Sequence, residues 1–291
     1  MLREMADLGF THVELSHGIR LSLVPGILKA FEEGMIRVST VHNFCPLPPG
    51  VLQAAPNLYE PSSLDARERD QWLRHTKRTI DFAAQVKARA VVCHLGSVVF
   101  FWFNPVRKLQ RYLHDHPVAV QTGDERYKEL MAKAMEKMRR RMTPFWQNTK
   151  ASLAKVYDYA AKKGLVLALE NREKFEELPV DADFSAFLAG LPAGAPAGYW
   201  HDTGHAQIKH NLGLLDHRQQ LAQNASRLLG FHLHDVDADG HDHRAIGSGT
   251  IDFGMVSEFW QPHHLLTLEI GPHATVEEVT DSKIRIERLI R

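Results

Sequence analysis

Seven short runs rich in strand-forming residues recur along the chain, at 11–15, 37–41, 90–93, 165–169, 198–200, 228–234 and 265–270. Longer segments with helical periodicity separate them. That order is the signature of βα units wound around a parallel sheet, and it predicts an α/β fold of the (β/α)8-barrel type. Residues 1–9 already read as a helix stopped at Gly9, so the first strand of an eight-stranded barrel is expected to be missing or replaced at the N-terminus.

The 291 residues fit one such barrel, which commonly needs roughly 250, so a single domain is expected over 1–291. Helix signals fall between the runs: a charged amphipathic stretch at 65–86, an N-cap and first-turn proline at Thr143-Pro144, a basic stop at Lys162-Lys163-Gly164, and a last helix at 276–289. Two connections are longer than usual. One is a proline-rich loop at 42–61; the other is a loop and helical insertion at about 97–143, where Met131, Met135, Met138 and Met142 form a stripe expected to be core or a lid seam.

Lys plus Arg equals Asp plus Glu at 35 each, so bulk charge gives no attraction to nucleic acid or an anionic membrane, and neither partner is expected. The basic stretch 137–141 reads as a solvated helix face. No apolar run is long enough for a membrane span or a signal peptide core. The reading is therefore a cytoplasmic protein, compatible with a homo-oligomer, in which Cys45 and Cys93 are reduced, buried thiols.

Side-chain alternation within the runs carries the chemistry. In 165–170 three leucines face one way, while Val166, Ala168 and Glu170 face the other. The same rule turns Val38, Thr40 and His42 inward, then Ala90, Val92 and His94, then Leu265, Thr267 and Glu269. His232 and His234 share a face, and Glu14 ends the first run. Any one of these residues could be a solvated rim group. Six strand ends delivering only carboxylates and imidazoles to one cavity would repel one another unless a cation neutralised them, so a metal site is expected. Asp202 and His205, three apart around Gly204, can join it; Gly247-Ser248-Gly249 behind His243 would let backbone approach a ligand.

Taken in order, the pieces Gly9-Phe10-Thr11-His12-Val13-Glu14-Leu15, Val41-His42, Cys93-His94-Leu95-Gly96-Ser97, Leu169-Glu170-Asn171-Arg172, His201-Asp202-Thr203-Gly204-His205, His232-Leu233-His234-Asp235, His243 with the Gly-Ser-Gly, and Leu268-Glu269 resemble the xylose isomerase-like TIM-barrel superfamily. That superfamily holds sugar-phosphate isomerases and epimerases, inosose dehydratases and endonuclease IV relatives. The resemblance implies one divalent ion, Mn, Zn, Mg or Co, on Glu170, Asp202, His232 and Glu269. It leaves room for a second ion or a substrate pocket at His42, His94, His205 and His243. A third ion is disfavoured, because His241 stands where the endonuclease IV branch has Asp.

By the same resemblance the leading function is a sugar, sugar-phosphate or keto-polyol isomerase or epimerase. Proton transfer would pass through an enediolate, with the metal as Lewis acid, Glu170 and Glu269 as acid and base, and Arg172, His205 and Glu14 at the substrate. The alternatives are a zinc phosphodiesterase of the endonuclease IV type, an inosose-type dehydratase, and a barrel that binds sugar without turnover.

Overall fold

The computed structural model describes residues 1–100 and 104–290. The elements run α1 (Leu2–Asp7), β1 (His12–Leu15), α2 (Val24–Glu32), β2 (Arg37–His42), α3 (Ala66–Gln85), β3 (Ala90–Cys93), α4 (Val106–Asp115), α5 (Glu125–Lys162), β4 (Val166–Glu170) and α6 (Asp181–Ala189). They continue with β5 (Ala197–Asp202), α7 (Thr203–Asn211), α8 (His217–Asn224), β6 (Leu228–Leu233), α9 (Phe253–Ser257), β7 (Leu265–Leu268) and α10 (Val276–Leu289). All seven expected strands are present. They form one sheet in the order β1-β2-β3-β4-β5-β6-β7, every neighbouring pair parallel.

The sheet curls into a nearly closed barrel. Among the described residues no ladder joins β7 to β1, so a seam lies where an eighth strand would stand. The four residues of β7 are all partly exposed, while those of β3 and β5 are all buried.

Alternation sorts the core into two layers. Leu165, Leu167 and Leu169 pack outward with Trp72 and Ile80 of α3 and Val156 of α5, where each fully buried aliphatic side chain contributes about 1.5–3 kcal/mol. Ala90, Val92, Ala168 and Trp200 fill the interior. Val38 departs from the expected inward position and joins the outer layer. The cause is a β-bulge: Val13 pairs with Val38 but Glu14 pairs with Thr40, so Ser39 is an extra residue and the alternation resets.

The insertion differs from expectation at Pro144. Thr143 does not start a helix; α5 runs unbroken for 38 residues with Pro144 inside it, and its N-cap is Asp124, whose Oδ1 accepts from Tyr127 N–H at 2.8 Å. A continuous buried face outweighs the lost backbone bond. Ala134, Met138 and Phe145 sit in a second core with Val106 and Leu109 of α4, and Met131, Met135 and Met142 pack against it.

Candidate metal centre

β4, β5 and β6 and the residue after β7 deliver Glu170, Asp202, His232 and Glu269 to one end of the barrel. They converge on a single atom, His232 Nδ1, which lies 3.0 Å from Glu269 Oε2, 3.4 Å from Glu170 Oε1 and 3.7 Å from Asp202 Oδ2. Trp200 forms the floor, its ring edge-on to His232 at 5.1 Å. Gly230 makes that floor possible, because a Cβ there would come within 2.5 Å of the indole.

Asp202 is also held from behind. Its Oδ1 caps α7 by accepting from His205 N–H at 2.7 Å, and His234 Nε2 lies 3.0 Å from each of its oxygens. His234 Nδ1 accepts from His243 N–H at 2.8 Å, which leaves Nε2–H as the donor to Asp202. Gly204 gives His234 its space, since an added Cβ would stand 2.1 Å from the ring.

A second group forms on the far oxygen of Glu170. His94 Nε2 lies 2.9 Å and His42 Nε2 3.4 Å from Oε2. Both rings use Nδ1–H elsewhere: His42 donates to Asn43 O at 2.9 Å, and His94 to Asn57 Oδ1 at 2.7 Å. In neutral form their Nε2 lone pairs therefore point at a carboxylate oxygen, three acceptors with no proton between them. Accordingly His94 Nε2 and Glu170 Oε2 are buried without hydrogen-bond partners. That donor set fits a cation.

The electrostatics divide the two rings: burial would lower His42, but Glu170 raises it above its ordinary value, so on that ring a proton competes with a cation. Burial would push Glu170 up, yet Arg172 and His94 hold it well below the usual carboxylate range; Asp202 is held well below by His205 and His234 against the same burial. Burial would lower His232, but Glu269 and Glu14 drive it well above its ordinary value. Burial and Arg172 push His94 down to about 4, so it is neutral at pH 7. Arg172 is the permanent cation of this cluster, bonded through Nη1 to Glu170 Oε1 and through Nε to Glu177 Oε1, each at 3.2 Å.

A cavity of about 200 Å³ opens above these groups, lined by His17, His42, His94, Glu170, Arg172, Glu173, His205, Asp242, His243 and Glu269, with Pro56 the one apolar wall. His205 donates Nδ1–H to Asn171 O at 3.0 Å, which leaves its Nε2 lone pair facing Asp242 Oδ2 at 3.9 Å. Expectations change at four places. Glu14, expected at the substrate, does not line the cavity; its Oε1 lies 3.0 Å from His232 Nε2. Gly247 and Gly249, expected to let backbone approach a ligand, both donate their amides to Asp235 Oδ2 at 2.9 Å. His241 is exposed and engages Asp237, while the neighbouring Asp242 reaches the cavity. His17, which sequence reasoning missed, lies in an irregular loop after β1 where no periodicity marks it.

With this geometry in place, the sequence profile of a family described as xylose isomerase-like TIM barrel matches residues 2–260. The chain belongs to that family. Among solved structures, a D-tagatose 3-epimerase-like protein is 16% identical, with a TM-score of 0.67 over 97% of this chain and 88% of that one. The apo form of the 3-keto-D-glucoside 4-epimerase YcjR from E. coli is also 16% identical, at a TM-score of 0.65 over 99% and 92%. The D-psicose 3-epimerase of Clostridium cellulolyticum H10, solved with D-tagatose, is 12% identical at 0.65 over 100% and 92%. These likenesses establish the fold. No curated protein matches the sequence significantly.

Proposed function

We propose that this family member is a divalent-metal-dependent isomerase or epimerase of a small sugar, sugar phosphate or keto-polyol. The observation that carries the reading is the convergence of Glu170, Asp202 and Glu269 on His232 Nδ1 in a site whose one permanent cation is Arg172. These four residues would hold the ion, for which the oxygen and imidazole donors suit Mn, Zn, Mg or Co. Bound there, the ion would act as a Lewis acid that makes a C–H beside a carbonyl more acidic.

The chain's own groups do the rest. Glu170 and Glu269 come from strands on different sides of His232 and both line the cavity, so one can take a proton from a carbon and the other can return it. Arg172 and His205 border the same space and would fix substrate oxygens. A cavity walled almost wholly by polar groups suits a ligand that presents hydroxyls around its perimeter. The epimerases among the structural likenesses point the same way as analogy.

The test is solvent-deuterium incorporation into a panel of keto-sugars, sugar phosphates and inososes, with metal analysis of the same sample. Exchange at one carbon, abolished by chelator and cut at least about 10²-fold in Glu170→Gln and Glu269→Gln, is the expected result. Unchanged turnover in both variants would remove the acid/base pair.

The cluster of His42 and His94 on Glu170 Oε2 supports a second reading, phosphodiester hydrolysis with more than one ion. Two or three equivalents of zinc together with nicking of abasic DNA would replace the first reading with this one.

A further inference from the structure

Among the described residues, the side chains paired with His232 Nδ1 are all acceptors. Glu170, Asp202 and Glu269 all present oxygens to it, so a neutral imidazole with nothing at its other nitrogen would place its one proton on Nδ1, among the carboxylates. In that tautomer Nδ1 has no lone pair to give a cation. Something must hold the proton on Nε2.

Glu14 stands at that nitrogen. Its Oε1 lies 3.0 Å from His232 Nε2, and its Oε2 accepts from Thr40 Oγ1 at 2.6 Å. Thr40 reaches this position because of the bulge: with Ser39 extruded, Glu14 pairs with Thr40 and both face the interior. Ser39 Oγ–H in turn donates to Val13 O at 3.1 Å, tying the extra residue to β1. The Glu14 side chain is 7% exposed and lies outside the cavity lining.

We infer that Glu14, clamped by Thr40 across the β1–β2 bulge, is a positioning residue that accepts His232 Nε2–H and so turns the Nδ1 lone pair toward Glu170, Asp202 and Glu269. A carboxylate behind a ligating imidazole fixes ring orientation and tautomer and makes the ligand nitrogen more basic; loss of such a partner typically costs about 10–100-fold in metal affinity. This rests on the metal-centre reading above.

The test measures Zn²⁺ and Co²⁺ affinity by chelator competition in the full-length wild type and in Glu14→Leu, Glu14→Gln and Thr40→Val, with ring ¹⁵N shifts of His232 in the Zn²⁺-loaded protein. Glu14→Leu should bind about 10–100-fold more weakly. Glu14→Gln, which keeps a carbonyl acceptor, should recover much of that loss, and Thr40→Val should fall between wild type and Glu14→Leu. The wild-type spectrum should show a protonated Nε2 and a proton-free Nδ1. Wild-type protein that binds no divalent ion would remove the metal-centre reading itself. Wild-type binding with equal affinity in Glu14→Leu, or with a protonated Nδ1, would overturn this inference alone. If Glu14→Leu fails to fold, Glu14→Gln and Thr40→Val decide through the same shifts and affinities.

Discussion

At Asp235 four backbone N–H groups converge on one carboxylate: Val236 and Ile251 donate to Oδ1 at 2.9 and 3.1 Å, Gly247 and Gly249 to Oδ2 at 2.9 Å. This explains the Gly-Ser-Gly by packing rather than by ligand contact, since a Cβ on Gly249 would meet Val236 O at 2.1 Å and Asp235 Oδ1 at 2.5 Å. The loop that Asp235 gathers carries Asp242 and His243 to the cavity. Replacing Asp235, itself fully buried, by Asn turns one oxygen into an NH₂ that faces donors and leaves two amides unpaired beside it. Asp235→Asn is expected to lower stability by about 2–4 kcal/mol. The check is the urea midpoint together with faster amide exchange at Gly249; a midpoint at the wild-type value would show that the loop is held by other contacts.

At the scale of elements, a histidine pair joins the outer face of β5 to α8. His201 Nε2 lies 2.9 Å from His217 Nε2, His217 Nδ1–H donates to Gln207 Oε1 of α7 at 3.1 Å, and Tyr199 Oη–H donates to His201 Nδ1 at 2.9 Å. The chain of bonds works only with both rings neutral. Burial first, and His210 second, push His217 down to about 4, while burial and His217 hold His201 well below its ordinary value. A histidine depressed in the fold leaves stability intact above the unfolded pKa of roughly 6.5, where both states are neutral. Between pH 6.5 and about 4 the unfolded chain takes up the proton and the fold does not. His217 alone should therefore withdraw about 3 kcal/mol across that window. Urea unfolding of chelator-treated protein at pH 7.5 and pH 5 should show a smaller loss in His217→Gln than in wild type; equal losses would mean the pair does not bear the penalty. His201 also shows how far elements were legible. No alternation reading covered its strand, yet all seven strands were readable as short runs of strand-forming residues set between helical segments. Val38 and Pro144 were misread because a bulge and a tertiary core override local rules, and neither leaves a short-range mark. Glu170, His232 and Glu269 were legible as strand ends, whereas Asp202 came with the family resemblance. His17 and Asp242 owe their positions to loops.

The whole molecule is a barrel with one seam, and its consequence is a gradient of protection. Among the described residues each interior strand shares its backbone groups with two neighbours, whereas β1 pairs only with β2 and β7 only with β6. The elements beside the seam are also thinly covered. α1 has no buried residue, α10 buries only Ser282 and Ile286, and Val276 and Ile290 remain 66% and 59% exposed. The two seam strands nevertheless meet through the site, because Glu14 of β1 and Glu269 after β7 both lie 3.0 Å from His232, on its opposite nitrogens. An ion at Glu269 and Asp202 would thus tie β7 to β5 and β6, and through His232 to β1, closing by side chains what backbone bonds leave open. Amide exchange should accordingly be fastest, among the strands, in β1 and β7 of chelator-treated protein, and should slow there more than in β3 or β4 when Zn²⁺ or Mn²⁺ is added. Slowing spread evenly over all seven strands would show that the ion stabilises the fold as one unit and that the seam is no weaker than the rest.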